Sequence, residues 1–489
     1  MGEEVQHTSY SRAHRQQYRQ KVQVCLDVFE TMLSEYSFES DHPLTGMEIE
    51  CNLVDADYQP AMTNQEVLAA IADPAYQTEL GAYNIEFNVP PRPLPGRTAL
   101  ELEDEVRTSL NAAEIKANTD GAHIVMIGIL PTLMPEDLAG SWMSPSMRYQ
   151  ALNDSIFTAR GEDILIDISG AEHLSVHAES IAPESACTSM QLHLQVSPAD
   201  FASNWNAAQV IAAPQLALGA NSPYFFGHQL WAETRIELFA QATDTRPDEL
   251  KSQGVRPRVW FGERWITSIF DLFEENVRYF PSLLPEMSEE DPVAELAAGR
   301  APTLSELRLH NGTVYRWNRP VYDVVNGRPH VRVENRVLPA GPTVVDMMAN
   351  SAFYYGLLRT ISEEDRPLWT KMSFTAAHDN FIEAARDGMN ARLYWPGLGE
   401  VTPDELVLRT LLPMADEGLR RWKVAADVRD RYLGVIEGRA KTGRNGAAWQ
   451  VATVRKLQDG GMDRPRALAE MLRRYCDLMH SNEPVHTWS

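Results

Sequence analysis

Residues 47–53 read Met47-Glu48-Ile49-Glu50-Cys51-Asn52-Leu53, an alternation that puts Glu48, Glu50 and Asn52 on one face of a strand and apolar side chains on the other. Three more segments repeat it. Tyr83–Val89 sets Asn84, Glu86 and Asn88 on a polar face, Met190–Val196 sets Gln191, His193 and Gln195, and His330–Val337 sets His330, Arg332, Glu334 and Arg336. A solvated face of an antiparallel sheet has the same period. Such faces are usually rich in Thr, Lys and Ser, and here no polar position is Lys or Thr. Glu48 and Glu50 lie about 7 Å apart, where like charges repel unless a cation sits between them. Carboxylates with a His and amide oxygens suit Mg²⁺ or Mn²⁺. Arg at alternate positions suits bidentate capture of phosphate or carboxylate. Taken together, the four faces predict the floor of a metal–nucleotide site.

The rest of the chain frames this floor. Its 489 residues allow one large domain or two to three ordinary ones. Lys and Arg number 44 against 68 Asp and Glu, a net charge of −24 that excludes nucleic acid as the main partner. Cys25, Cys51, Cys187 and Cys476 are far apart with no CxxC pair, so neither a disulfide scaffold nor a zinc knuckle is expected. Cys51, on the apolar face of its strand, reads as core. The N-terminus lacks a signal-peptide stretch, and no run of about 18 apolar residues occurs, which predicts a cytoplasmic protein without membrane partners. Helical spacing appears over 13–36, 99–119, 199–215 and 343–359, and almost continuously from 375. The polar stretch 169–185 reads as a loop, and the acidic, Pro-bearing 283–302 as a surface excursion. The expected fold is α+β: strands meeting in one antiparallel sheet, helices packed on it, and a helical C-terminal part. The expected organisation is an N-terminal helical segment (1–40), a sheet domain (41–374) and C-terminal helices on the same domain (375–489).

Several of these segments carry a family resemblance. GMEIECNLVD (46–55) resembles the Gly-x-Glu-x-Glu strand that opens carboxylate–amine ligases of the glutamate–cysteine ligase type. ELGAYNIEFNVPP (79–91) is similar to that family's second acidic strand, and SMQLHLQVSP (189–198) to its His-bearing strand. GANSPYFFG (219–227), with Arg235 shortly after, resembles its Ala-Asn-Ser-Pro loop. Residues 332–358 resemble its Glu-x-Arg strand and following helix, and TGRNGAAWQ (442–450) a C-terminal motif of part of the family. A Glu-x-Glu strand alone is common; the ordered set is specific.

The resemblance implies the curved antiparallel funnel shared with glutamine synthetase, holding ATP and divalent metal. It also implies ATP-dependent joining of a carboxylate, typically the γ-carboxylate of glutamate, to an amine such as that of cysteine, a step of glutathione biosynthesis. Carried over by position, Glu48, Glu50, Glu86, His193 and Glu334 are metal ligands. Glu79, where the family often has an acid, joins them. Arg336 and Arg235 would contact phosphate, with Gln191 and Asn84 completing the nucleotide site. Asn84 stands where many members have Gln, and Gln195 where a second His or a Gly is frequent. Both departures fall on the polar face and bear on the substrate more than on the chemistry. No Walker loop is present, which fits a metal site built from carboxylates. The alternatives are a different amine or peptide acceptor, a catalytically silent nucleotide-binding relative and, more remotely, a metal-dependent hydrolase. A homo-oligomer is compatible with any of them.

Overall fold

The computed structural model describes residues 5–7, 10–41 and 43–489. The main sheet takes strands from across the sequence: β1 (Leu44–Val54), β2 (Tyr76–Thr78), β3 (Asn84–Pro93) and β4 (His123–Val125) come first. A separate hairpin, β5 (Ile164–Ser169) and β6 (His173–Ala178), precedes β7 (Met190–Val196), β8 (Asn318–Val325) and β9 (Arg328–Asn335). The order is β8-β9-β7-β1-β3-β2, with β4 paired to the far end of β1. Every ladder in this sheet is antiparallel. The four alternating strands are therefore neighbours, and residues directly opposite in register point to one face. Glu50 faces Glu86, Glu48 faces Gln191, and Glu334 faces His193.

The apolar face is closed by helices. Ile49, Cys51, Leu53, Leu192 and Val333 are fully buried. Against them lie α3 (Phe201–Gly219) and α4 (Val344–Ser362), which follow α1 (Arg12–Glu35) and α2 (Thr98–Ala117). A helix apolar on every side must be surrounded, and in α4 only Arg359 and Ser362 reach solvent. Among the C-terminal helices, α6 (Leu412–Arg421) and α7 (Ala426–Thr442) pack on α4, α5 (Phe374–Asp387) packs on α3, and α8 (Gly446–Asp459) and α9 (Arg464–Ser481) pack on each other; all add to the same core, which runs from Val5 to Trp488. Among the described residues, no helix is long and apolar enough to cross a membrane. All four cysteines are free.

Two buried polar clasps lock this outer layer. In the first, Asp346 of α4 meets Arg439 of α7 at 2.8 Å, with both side chains essentially out of solvent. Asp346 also accepts from Thr343 Oγ1 and the Val485 amide. Arg439→Ala strands that carboxylate, so it is expected to cost about 3–5 kcal/mol. Urea unfolding measures this, and an unchanged midpoint would show that the two remaining donors suffice.

In the second clasp, Asn221 donates to Ala340 O and Tyr475 Oη and accepts from Gln450 Nε2. A side chain on Gly446 would meet Asn221 Oδ1 at 2.0 Å, so the close approach requires glycine. The Asn-Ser-Pro loop and the C-terminal motif are two halves of one joint.

Two segments differ from the reading of the sequence. The polar stretch 169–185 is not a loop. It contains β6, paired along its length with β5, and a short turn of helix at Ala182–Ala186. In β6 only Leu174 is buried, so side-chain burial gives little periodic signal while the backbone still pairs. Strand β8, which is absent from that reading, forms a hairpin with β9 through Asn326 and Gly327, both at positive φ. Asn-Gly is the turn that matches strand twist in two-residue hairpins.

Candidate active site

The polar faces of the four strands line a cleft of about 330 Å³. Its inner end holds a nest of three carboxylates. Glu50 and Glu86 are opposite each other on β1 and β3, and Glu79 reaches in from the turn after β2. One oxygen from each lies within 4.8 Å of the others. Outer contacts aim two of them: Glu50 accepts from the Ser189 amide at 2.5 Å and from Gln191 Nε2 at 2.9 Å, and Glu86 accepts from Asn88 Nδ2 at 2.7 Å. Burial pushes the Glu79 carboxyl well above the usual range, and Glu86 and Glu50 push it further. Burial also raises Glu50 and prevails over the opposing Arg336 charge and Ser189 contact, with a smaller push in the same direction from Glu86.

At the outer end each acid already has a basic partner. His193 Nε2 lies 3.1 Å from Glu48 Oε1, close to it but off the line of a hydrogen bond. Burial acts to raise Glu48, yet the imidazole more than reverses it and holds the carboxyl at about 2. His193 Nδ1 accepts from Arg332 Nε at 3.2 Å. Glu334 is gripped from two sides, by Arg319 Nη2 at 2.8 Å and Arg336 Nη1 at 2.6 Å. Burial opposes its ionisation, but Arg319, Arg336 and His193 hold it far below the usual range. Arg336 Nη1 also donates to Gln191 Oε1 at 2.6 Å, which joins the two ends of the cleft.

The five acids and His193 named from the sequence thus gather on one side of the sheet but occupy two electrostatic environments. The outer set is neutralised by protein cations. In the inner nest three acids share one nearby Arg, and two have their carboxyls pushed up. Carboxylates converging without enough protein cation are the donor set that a hard divalent ion fits.

Arg235 and Asn84 stand deeper, in the wall of a smaller chamber beside the nest. The Arg235 guanidinium bonds Glu233 Oε1 and the carbonyls of Arg336 and Val337, and lies 5.5 Å from the centre of the Trp317 ring. It braces the backbone that carries Arg336. Asn84 Nδ2 donates to Asn52 Oδ1, and Asn52 in turn donates to Ile127 O and Thr188 Oγ1. Arg319 and Glu184 also line the cleft and are not among the residues the sequence singled out. Arg319 was findable, since the Asn326-Gly327 turn folds β8 back to set it opposite Glu334. Glu184 sits on an aperiodic turn and carries no such signal.

The sequence model of glutamate-cysteine ligase family 2 matches residues 44–470, which includes every strand of the cleft floor. The chain belongs to glutamate-cysteine ligase family 2. That places it among the carboxylate–amine ligases. No curated protein sequence matches it. The glutamate–cysteine ligase of Francisella tularensis, solved in complex with AMP, is similar in fold with a TM-score of 0.57 at 12% identity, over 92% of this chain and 91% of that one. A bifunctional glutathione synthetase from Pasteurella multocida gives 0.51 at 12% identity, over 94% of this chain and 55% of the other. At such low identity the likeness is one of fold. The α+β architecture with a curled antiparallel sheet is that of this family.

Proposed function

We propose that this family member is an ATP- and Mg²⁺-dependent ligase that joins the γ-carboxylate of glutamate to an amine through an acyl phosphate, with L-cysteine the first candidate acceptor and γ-glutamylcysteine the product. Mn²⁺ would fit the same donors. The observation that carries the reading is the buried nest of Glu50, Glu79 and Glu86 beside Arg336. The AMP held by the Francisella enzyme supports a nucleotide substrate.

A carboxylate is a poor electrophile, and phosphoryl transfer from ATP makes it reactive. A divalent ion held by Glu50, Glu79 and Glu86 would neutralise the charge between the β- and γ-phosphates. Glu48, His193 and Glu334 would supply further donors at the outer end. Arg336, fixed by Gln191 and Glu334, presents its guanidinium to the transferring group and then to the departing phosphate. Gln191 and Ser189 keep Glu50 aimed. The helix layer behind the sheet holds the floor rigid.

Assay of ADP release with glutamate and a panel of amines tests the reading. The expected products are ADP and orthophosphate, formed only with metal and both substrates. Glutamate carrying ¹⁸O in its carboxylates is expected to pass one labelled oxygen to phosphate. AMP and pyrophosphate, with the label in AMP, would instead establish adenylation.

A further inference from the structure

The chamber beside the nest has a volume of about 80 Å³ and opens into the cleft along Glu50, Glu79, Glu184, Tyr315 and Arg336, which border both spaces. Its far wall carries Cys187, Phe239 and Trp317. Most of its ionisable groups are spoken for. Glu50 and Glu79 belong to the nest, Arg336 holds Glu334 and Gln191, and Arg235 is spent on Glu233 and two carbonyls. Burial pushes the Cys187 thiol far above its ordinary range, so it stays protonated.

Glu184 is different. Part of the residue is open to the cleft, but its Oε2 is sealed from solvent and has no hydrogen-bond partner. A carboxylate oxygen kept from water without a donor is costly, and the cost falls when a ligand brings one. Burial raises its carboxyl to about 8, against the attraction of Arg336 and with repulsion from Glu50. Tyr149, Tyr315 and Cys187 are the other titratable groups that feel its charge.

We propose that the chamber receives the acceptor amine in its ammonium form and that Glu184 is the catalytic base that deprotonates it. This rests on the ligase reading above. One proton passes from R–NH₃⁺ to the Glu184 carboxylate, which leaves a neutral amine and a neutral acid. The nitrogen lone pair forms the C–N bond to the acyl-phosphate carbon, and the C–O bond to phosphorus-bound oxygen breaks with its electron pair on the departing phosphate. That phosphate carries off the second nitrogen proton as the amide forms, and Glu184 returns its own to solvent after product release. A nucleophile that is already neutral needs none of this help.

Hydroxylamine is such a nucleophile at neutral pH and converts an acyl phosphate to a hydroxamate. Wild type and Glu184→Gln are compared for amide formation with the preferred amine and for hydroxamate formation, both with glutamate and ATP. The variant is expected to lose about 10²-fold or more in amide formation, to stay within a few-fold of wild type in hydroxamate formation, and to recover amide formation as rising pH deprotonates the free amine. Equal loss of both reactions, or loss of neither, would overturn the assignment. Glu184→Asp, which keeps a carboxylate on a shorter arm, is run beside it. Amide formation no better in Asp than in Gln, with hydroxamate formation intact in both, also counts against a base. Wild-type protein that forms neither product and releases no ADP would instead remove the ligase reading itself.

Discussion

Glu79→Gln is expected to lower metal-dependent turnover by more than about 100-fold, because loss of an outer contact to a metal ligand alone costs about 10- to 100-fold, and at the same time to make the metal-free protein more stable. The two effects have one cause. Glu79, Glu50 and Glu86 bring three carboxylates within 4.8 Å of one another in a buried nest. Without a cation that arrangement is strained; with one it is a binding site. The amide keeps the shape and removes one charge. The pH dependence has a defined sign. Folding raises the carboxyls of Glu79 and Glu50, so the stability they contribute is complete below the unfolded value of about 4.3 and is lost as pH climbs through the raised folded values. Glu48 and Glu334 act in the opposite sense. Their lowered carboxyls stabilise the fold above that same unfolded value, and the contribution is lost as pH falls, for Glu48 toward about 2. In chelator the wild type should therefore melt at falling temperature as pH rises above that unfolded value. Mg²⁺ should reverse the trend, since its ligands bind deprotonated, and Glu79→Gln should flatten both curves. Thermal melts in EDTA and in MgCl₂ across that range decide it. A variant that melts no higher than wild type in chelator would show that the nest carries no unbalanced charge.

Arg336→Lys is expected to cut turnover by about 10²- to 10³-fold, the scale of one lost charge-stabilising donor, with little change in melting temperature. Arg336 borders both cleft and chamber, and about a fifth of its side chain, 21%, is open to them. One nitrogen of its fork is committed to Gln191 and Glu334, and the remainder of the planar group is what a phosphate would meet. A lysine ammonium sits at a single point. It can hold Glu334 or reach the phosphate, not both. Because the charge is kept, Glu334 stays paired, with Arg319 as its second partner. Steady-state ADP release and a thermal melt measure the two quantities, and wild-type turnover would take Arg336 out of the reaction.

The sequence by itself determined which side chains share a face. Strand side chains alternate with a period of two, so Glu48 with Glu50, or Glu334 with Arg336, had to project together once the segments were strands. It also determined the family, through the ordered motifs from Gly46 to Gln450, and with the family the curled sheet. The apolar helices at 199–215 and 343–359 were legible for the same reason that they are buried, since a continuous apolar surface has to be covered. Only the tertiary structure decided which strands are neighbours, because pairing joins segments as distant as β1 and β7 and depends on hydrogen bonds that every backbone offers alike. That pairing sets Glu50 opposite Glu86, draws Glu79 into the nest from a turn, and gives Arg319 and Arg336 to Glu334. It assigns Arg235 to bracing a backbone and leaves Glu184 Oε2 without a partner. These are matters of charge balance within about 5 Å, a range at which burial and the identity of the nearest group outweigh anything local in the chain.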